Sequence, residues 1–364
     1  MIKRILHILF ISVGSVIVLF LLLAYLTPYV NPLSLWYFGV VSLLYPLILI
    51  ANIFLLVVSF LFKKRLYRYI LLIVILGGYL YHHRFFAFHF VNEKNIQTED
   101  IRVLSYNVKT FDLYNWSHNA NSRRQMTSFI DSVQPDIACF QEYVMDDRDV
   151  FNTTDTLSGL LHTDFIHEYF PRSNLYFHFG MATFSKYPIV GREEITFDKS
   201  FNFVLVTDVV KDTDTLRIFN CHLQSIHLGV KEYNFLDSIS DNIDKHRIKE
   251  VSPLLKLLRK AYRKRARQVA ILKDSLDASP YPVIVCGDFN DIPNSYTYHT
   301  LSQNLHDSFL ESGSGLGTTY TQFFIPYRID YILYSSYFFA VYAKKFEVSY
   351  SDHFPYFSVL RINQ

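Results

Sequence analysis

The sequence PVIVCGDFND, residues 282–291, decides the fold of the C-terminal part of the chain. The apolar residues after the proline predict a buried strand that ends at Gly287. Asp288, Asn290 and Asp291 follow directly and carry side-chain oxygens suited to a hard cation or a phosphate. The same residue types are also typical of a turn that closes a strand. This stretch alone therefore leaves both interpretations open.

Other short apolar stretches also deliver polar side chains at or near their ends. These strand-end residues are Asn107, Glu142, His222, Asp288, Asn290, Asp330, Asp352 and His353. Each alone has a structural explanation, such as a turn cap for Asn107 or a buried core histidine for His222. Strand ends do not otherwise require carboxylates and imidazoles, so the repeated pattern predicts a metal or phosphate site.

Several motifs in chain order resemble those of the endonuclease/exonuclease/phosphatase superfamily: SYNV, QE, GMATFSKYPI, NCHL, GDFND, RIDYIL and SDHFP. That superfamily includes pancreatic-type deoxyribonucleases, abasic-site endonucleases, inositol polyphosphate phosphatases and neutral sphingomyelinases. The resemblance covers about residues 100–362. It implies an α/β fold, a four-layer α/β/β/α sandwich of two mixed sheets flanked by helices, with the active site where strand ends converge.

The resemblance also implies a metal centre. Glu142 is the expected main ligand, with Asn107 and Asp352 beside it. These oxygen ligands suit Mg²⁺, which keeps several of its waters, with Mn²⁺ as a substitute. Several nucleases of the family carry an acidic residue two positions after the asparagine, where this chain has Lys109. The number of metal ions, one or two, stays open.

Hydrolysis of a phosphodiester needs charge neutralisation, in-line positioning and proton transfer. By the resemblance, His353 is the general base or a phosphate-polarising imidazole, and Asp330 orients it. Asp288 aligns or deprotonates the attacking water, and Asn290 donates to the phosphoryl oxygens. His222 contacts the phosphate or protonates the leaving group. The choice between His353 and Asp288 as the base stays open.

The first ninety residues are almost entirely apolar, and 50% of the whole chain is hydrophobic. An uncharged run of about 22 residues, 5–26, is long enough to cross a bilayer as a helix. Further runs at 35–62, with Pro46 inside, and at 69–90 predict about three transmembrane helices in all. A signal peptide is disfavoured because no cleavage site of small residues follows the first run. The predicted regions are a membrane anchor (1–91), a linker (92–100) and a catalytic domain (101–364).

Basic residues predict the orientation of the anchor. Lys3 and Arg4 precede the first run, and a basic cluster follows the second: Lys63, Lys64, Arg65 and Arg68. The positive-inside rule then places the N-terminus in the cytoplasm. Three crossings of the cytoplasmic membrane put the catalytic domain on its outer, periplasmic or extracellular, face, and two crossings would reverse that side.

Other features of the sequence are less specific. The net charge of +2 excludes no class of partner, and the three cysteines lie in apolar runs without zinc-site spacing. The basic stretch 256–267 predicts a helix with three open interpretations. It could be an ordinary solvated face, a surface for anionic lipid headgroups, or a surface for a nucleic-acid backbone.

The sequence therefore predicts a membrane-anchored, Mg²⁺-dependent phosphoesterase that hydrolyses a phosphodiester by in-line attack of an activated water. The expected substrate is a nucleic acid or a phospholipid headgroup, and no protein partner can be inferred. The alternatives are a phosphomonoesterase, or an inactive phosphate- or lipid-binding module on the same fold. An inactive relative would be expected to lose Glu142, Asp288 or His353, and all three are present.

Overall fold

The computed structural model describes residues 2–61, 65–90, 93–148, 151–226, 245–322 and 326–363. The chain forms two compact units. The helical unit comprises Met1–Phe85, Ile226–Arg267 and Ile292–Thr300, and the sheet unit comprises Phe86–Ser225, Gln268–Asp291 and Leu301–Gln364. Lys63 and Lys64 of the predicted basic cluster, and Asn92 of the predicted linker, lie outside the described residues.

Ten α-helices are described, in chain order: α1 Ile2–Leu26, α2 Tyr37–Leu43, α3 Tyr45–Ser59, α4 Arg65–Gly77, α5 Tyr79–His82, α6 Ser122–Val133, α7 Thr153–Leu161, α8 Lys245–Asp277, α9 Tyr296–Leu301 and α10 Ser308–Ser312. In the described part of the chain, one helix is long and apolar enough to cross a membrane, within Ile8–Tyr29. The pair α2 and α3 would be a second span only if both helices, bent by 59° at their junction, count as one. A single apolar helix near the N-terminus is also typical of a signal sequence.

The prediction of about three transmembrane helices is therefore wrong. The run 35–62 is not one helix, because α3 begins with Pro46 in its first turn. A proline ring fits that position but not a helix interior, where it would clash with the preceding turn. The run 69–90 contains only the end of the 13-residue α4, a break at Gly78, the short α5 and a strand at Phe86–Phe88.

Within the helical unit, a returning segment of the chain packs against the N-terminal helices. The backbone carbonyl of Asn294 accepts hydrogen bonds from Thr27 Oγ1 at 2.6 Å and from Ser42 Oγ at 2.8 Å. The Asn294 amide donates to the carbonyl of Ala24 at 2.9 Å. All three polar side chains are buried, so these bonds satisfy groups that would otherwise be costly to bury. The chain thus joins the helical unit directly after Asp291.

The sheet unit contains fourteen described strands: β1 Phe86–Phe88, β2 Ile101–Asn107, β3 Ile137–Asp146, β4 Phe165–Ser173, β5 Phe177–Ser185, β6 Ile189–Thr196, β7 Phe203–Lys211, β8 Asp214–His222, β9 Val283–Asp288, β10 His306–Asp307, β11 Ser314–Leu316, β12 Asp330–Tyr334, β13 Phe338–Lys345 and β14 Tyr356–Ile362. Twelve of them form two six-stranded sheets. The first sheet has the order β13-β14-β2-β3-β5-β4, and the second has the order β10-β12-β9-β8-β7-β6. Strands β1 and β11 pair separately.

Both six-stranded sheets are mixed in the same way. Each has one parallel pair at its centre, β2 with β3 or β8 with β9, and antiparallel neighbours on both sides. Apolar residues of the two sheets, such as Val103 and Ile284, share one buried cluster, so the sheets pack face to face. Helices α6 and α7 pack on the other face of the first sheet. The α/β fold with two mixed sheets is confirmed, and the complete four-layer arrangement stays a prediction.

The predicted basic helix forms the middle of α8. The apolar side chains of Leu258 and Tyr262 in this helix are buried, whereas Leu255 is exposed. One of its basic residues, Arg265, is also fully buried, so the stretch is not simply a solvated face. Residues 227–244, in the polar stretch before it, lie outside the described part of the chain.

Candidate active site

The two central parallel pairs supply four of the eight predicted site residues, near the point where their parallel pairing ends. In the first sheet, Asn107 ends β2 opposite Gln141 of β3. Glu142 follows at an irregularity in the pairing of β3 and has a left-handed backbone with φ of 50°. A left-handed non-glycine residue costs about 1 kcal/mol or more, and such strain concentrates at functional sites. The bulge turns the Glu142 side chain out of the regular strand pattern.

In the second sheet, Asp288 ends β9 between two polar neighbours. His222 of β8 lies opposite it on one side and Asp330 of β12 on the other. Gly287 precedes it with φ of 130°, and a Cβ there would lie 2.0 Å from the carbonyl oxygen of Cys221. Only glycine allows this close approach of β8 and β9. The GD sequence therefore sets the position of the carboxylate.

Hydrogen bonds join the two groups of strand ends. Asn107 Nδ2 donates to Glu142 Oε1 at 3.3 Å and to Asp288 Oδ2 at 3.2 Å. His222 Nε2 lies 3.8 Å from Glu142 Oε1 and 3.9 Å from Asp288 Oδ2. The structure thus brings together residues of both sheets, as the strand-end pattern predicts.

His353 lies between two buried carboxylates. Its Nδ1 is 2.9 Å from Asp330 Oδ2, and its Nε2 is 3.7 Å from Asp288 Oδ2. Burial lowers the pKa of His353, but the charges of Asp330 and Asp288 outweigh burial and raise it to about 10. The imidazole is therefore positively charged near neutral pH, with the Asp330 carboxylate fixing its orientation.

Two acidic groups of the site, Asp288 and Glu142, have pKa values above the ordinary values of these side chains. The pKa of Asp288 is raised to about 7. Burial is the largest cause; the positive charge of His353 opposes it, and the charges of Asp330 and Glu142 raise the pKa further. Desolvation and the charge of Asp352 raise the pKa of Glu142. Crowded carboxylates of this kind repel one another and favour a cation or a proton.

Asp352 lies at the side of Asn107. Lys109 Nζ is 2.8 Å from Asp352 Oδ2, and Ser351 Oγ donates to the backbone carbonyl of Asn107 at 2.8 Å and to Asp352 Oδ1 at 3.2 Å. Ser351 thus links two of the predicted metal ligands. It is a positioning residue that the sequence argument missed, although it directly precedes the Asp-His pair.

The amide group of Asn290 is used within the protein. Its Nδ2 donates to the carbonyl of Leu223 at 2.9 Å and to Asp288 Oδ2 at 3.1 Å, and its backbone N–H donates to Asp288 Oδ1 at 2.8 Å. Asn290 has a left-handed backbone with φ of 54°. In this geometry it holds the Asp288 carboxylate, while a direct contact of Asn290 with substrate stays a prediction.

The predicted ligands fit a hard divalent cation. Glu142 and Asp352 offer carboxylate oxygens, and Asn107 offers its amide Oδ1 once that amide is turned toward the ion. Among the described residues, Asp288, Asp330 and His353 also place three ligand atoms within 4.8 Å of one another. A charged imidazole does not bind a metal, so this second group fits proton transfer better.

A buried amide pair beneath the site connects the two sheets. Gln141 Nε2 of β3 donates to Asn220 Oδ1 of β8 at 2.7 Å. The Asn220 amide then donates to the carbonyl of Ala182 at 3.0 Å and to Thr183 at 3.2 Å. Asn220 was given no role in the sequence-based prediction, although it lies in the NCHL motif directly before Cys221 and His222.

Two face-to-face sheets, with carboxylates, an amide and two histidines converging from their central strand ends, define the fold and site of a metal-dependent phosphoesterase. Residues 104–353 match the family model described as the Endonuclease/Exonuclease/phosphatase family. This match covers more than half of the chain, and the chain belongs to that family. Members of the family are metal-dependent hydrolases of phosphoester bonds, and this protein is an enzyme of that class.

Solved structures agree on the fold. The endonuclease/exonuclease/phosphatase from Beutenbergia cavernae DSM 12333 is 18% identical, with a TM-score of 0.53, and the match covers 72% of each chain. The corresponding protein from Bacteroides vulgatus is 15% identical, with a TM-score of 0.50 over 72% of this chain and 99% of the other. Humanized D. rerio TDP2 is also 15% identical, with a TM-score of 0.50 over 72% of this chain and 100% of the other.

The N-terminal region matches a different model. Residues 5–85 match a family described as a domain of unknown function (DUF8431). A search among curated proteins finds no match to the chain.

Proposed function

We propose that the protein is a Mg²⁺-dependent phosphodiesterase that hydrolyses its substrate by in-line attack of water. The observation that carries the proposal is the convergence of two different sets of groups at one edge of the sheets. Asn107, Glu142 and Asp352 form an oxygen-rich set, and Asp288 with His353 forms a proton-handling set beside it. A phosphodiester needs both, because its shielded anion must be neutralised before water can attack it.

Glu142, Asn107 and Asp352 would hold the metal ion. When bound, Mg²⁺, or Mn²⁺ in its place, supplies positive charge that neutralises the phosphate. Lys109 contributes a further fixed positive charge on the Asp352 side, where related nucleases carry an acid. We therefore propose a site for one ion, with the Lys109 ammonium in the place of a second.

We propose Asp288 as the general base. Its carboxylate is held by the backbone and side chain of Asn290, so its orientation is fixed before substrate binds. The pKa of Asp288, raised to about 7, suits proton abstraction near neutral pH. Its buried position also keeps it away from bulk water.

His353 then acts as a charged donor rather than as the base. Asp330 accepts the Nδ1 proton, which directs the Nε2–H toward Asp288 and the reacting phosphate. His222 is 15% exposed and lies within 4 Å of both Glu142 and Asp288, a position from which it could protonate the leaving oxygen. These roles stay proposals.

We also propose that the N-terminal helices anchor the enzyme in the cytoplasmic membrane. The support is the apolar helix α1, whose side chains Leu9, Val16 and Leu19 are about half exposed and uncovered by protein. The placement of the catalytic domain on the outer face of the membrane was predicted from three crossings, and it stays a prediction. Protease accessibility of the sheet unit in intact spheroplasts, compared with lysed ones, measures the side directly.

The activity is tested on the full chain in detergent, because parts of the C-terminal sequence belong to the helical unit. Methyl p-nitrophenyl phosphate, p-nitrophenyl phosphate, single-stranded oligonucleotides and phospholipid vesicles are each assayed with Mg²⁺ and with chelator. Chelator-sensitive hydrolysis of a diester, lost in Glu142→Gln, supports the proposal. Turnover of the monoester alone would identify a phosphatase, and binding without turnover would identify an inactive module.

A further inference from the structure

Two exposed aromatic side chains lie on segments that adjoin residues of the proposed active site. Trp116 is 57% exposed and Phe201 is 70% exposed. Exposing large aromatic rings to water is costly, and rings beside a site mark contact surfaces for a ligand. Neither ring has a role in the proposed chemistry.

Trp116 is connected to the metal-ligand side of the site through Lys109. The Lys109 ammonium lies 6.0 Å from the Trp116 ring centroid and 2.8 Å from Asp352 Oδ2. The exposed ring of Tyr114 packs against Trp116 edge to face at 5.6 Å. The loop that carries both rings is fixed below by Phe111, which is fully buried against Phe140. The aromatic pair is therefore displayed on an anchored loop.

Phe201 lies two residues before Phe203, which pairs with His222 at the end of β8. The neighbouring Asn202 donates to the carbonyl of Leu223 at 3.0 Å, the same carbonyl that accepts from Asn290. Arg172 lies over the Phe201 ring at 5.7 Å. This flank thus repeats the combination found around Trp116, an exposed ring with a cation beside it.

We infer that Trp116 and Phe201 are stacking platforms for bases on either side of the scissile phosphate of a single-stranded nucleic acid. The inference rests on the proposed phosphodiesterase function and names its substrate class. Aromatic rings stack on every base, and the adjacent Lys109 and Arg172 complement the phosphates that accompany the bases. The bases of a duplex are already stacked on each other, so only a single strand offers free faces to such platforms.

The chemistry around the rings favours a nucleic acid over a lipid. The residues that follow Trp116 are Ser117, His118, Asn119, Ala120 and Asn121, and all are exposed. Acyl chains would require a continuous apolar surface, whereas this loop surrounds its rings with polar groups that suit base edges and sugars.

The test uses full-length Trp116→Ala and Phe201→Ala. We expect each to lower kcat/KM for a single-stranded oligonucleotide about tenfold, within the range for loss of one stacked base. The rate on methyl p-nitrophenyl phosphate, which has no bases to stack, should equal that of the parent. Phe339→Ala is the matched control, because Phe339 is also an exposed ring with a cation, Arg361, beside it. Phe339 pairs with Arg361 at the end of β14 that is remote from His353. This variant should leave both rates unchanged.

Binding gives a second measurement that does not depend on turnover. The chain has two tryptophans, so Trp36→Phe leaves Trp116 as the single tryptophan, which is excited selectively over the tyrosines. In chelator, titration with the oligonucleotide should quench Trp116 fluorescence, and anionic phospholipid vesicles should not. Quenching by vesicles alone would identify a lipid surface and overturn the inference.

The outcomes separate this inference from the proposed function. A parent enzyme inactive on methyl p-nitrophenyl phosphate with Mg²⁺ would contradict the proposed function itself. A parent active on that diester, with oligonucleotide kinetics unchanged in both platform variants, would contradict only the stacking inference. An equal loss in Phe339→Ala would also overturn it, because the effect would then not be local to the site.

Discussion

The two central sheets have the same order of parallel and antiparallel pairs but present different chemistry at equivalent places. At the end of its parallel pair, the first sheet carries Asn107 and Glu142, and the second carries His222 and Asp288. The Glu142 side chain is 40% exposed, whereas that of Asp288 is 2% exposed. The two sheets thus share one topology but surround their strand-end carboxylates with different electrostatic environments.

The difference separates two tasks. A half-exposed carboxylate on a strained backbone is open to a hydrated cation, which Mg²⁺ prefers because it keeps its waters. A buried carboxylate beside a charged imidazole has its proton affinity set by its neighbours and is suited to proton transfer. We infer that the first sheet holds the metal and the second handles protons.

Glu142→Gln and Asp288→Asn should both lower kcat by about a thousandfold or more, since each removes a group essential to the proposed chemistry. Their metal affinities should differ. We expect Glu142→Gln to weaken Mg²⁺ or Mn²⁺ binding by at least about tenfold and Asp288→Asn to leave it nearly unchanged, measured by calorimetry.

Glu168→Gln is the matched control for these two variants. Glu168 is a half-buried acid of the first sheet that accepts a hydrogen bond from Thr154 and has no place in the site. It should retain both activity and metal affinity. If Asp288→Asn lost metal as completely as Glu142→Gln, the division between the sheets would be wrong.

Asp330→Asn tests the second sheet alone. Removing the carboxylate beside His353 should lower the pKa of the imidazole, which Asp330 and Asp288 now raise to about 10 against the effect of burial. We expect kcat to fall about a hundredfold and the basic limb of its pH profile to move to lower pH. Metal affinity should stay close to that of the parent. A lower rate with an unshifted basic limb would show that His353 does not act as a charged group.

Asn220→Ala tests the connection between the sheets. It removes the acceptor for Gln141 and the donor to Ala182 from a fully buried position. We expect the free energy of unfolding to fall by about 2 kcal/mol, the cost of buried polar groups left without partners. Asn95→Ala replaces an exposed asparagine and serves as control. Equal stability of Asn220→Ala and the parent would mean that the amide pair contributes nothing to holding the sheets together.

The strand-end residues could be predicted from sequence because a strand keeps its direction, so residues at strand ends reach one edge. The contacts between the sheets could not. Asn107 and Asp288 are 181 residues apart in sequence, and Gln141 and Asn220 are 79 apart. The local sequence pattern does not indicate which side chain of one sheet faces which side chain of the other sheet. Side-chain orientation could not be predicted either: the amide of Asn290 donates to Asp288 within the protein, where a contact with substrate was expected.

The helical region shows a different limit. Its composition predicts apolar helices correctly, but the positions of breaks depend on where Pro46 and Gly78 can be accommodated. A run of apolar residues gives the length available to a span, and one proline or glycine decides whether that length is one helix. The prediction of three spans counted lengths and gave these two residues too little weight.

The smallest expected effect concerns His167, a second polar link between the sheets. His167 of β4 is buried in the first sheet, and its ring nitrogens contact Thr207 at 2.7 Å and Glu194 at 3.1 Å, both in the second sheet. Burial lowers the pKa of His167 below 6.5, although Glu194 partly opposes this. The unfolded chain therefore binds a proton near pH 6.5 that the folded protein binds only at lower pH.

Stability contributed by neutral His167 is thus fully present above pH 6.5, the ordinary value of the group, and is lost as pH falls through the folded pKa. We expect the denaturation midpoint to fall between about pH 8 and about pH 5, and to fall less in His167→Gln than in the parent. His118→Gln, a change at an exposed histidine, is the control. An unchanged pH dependence in His167→Gln would contradict this prediction, because it would mean that His167 binds protons equally in the folded and the unfolded chain.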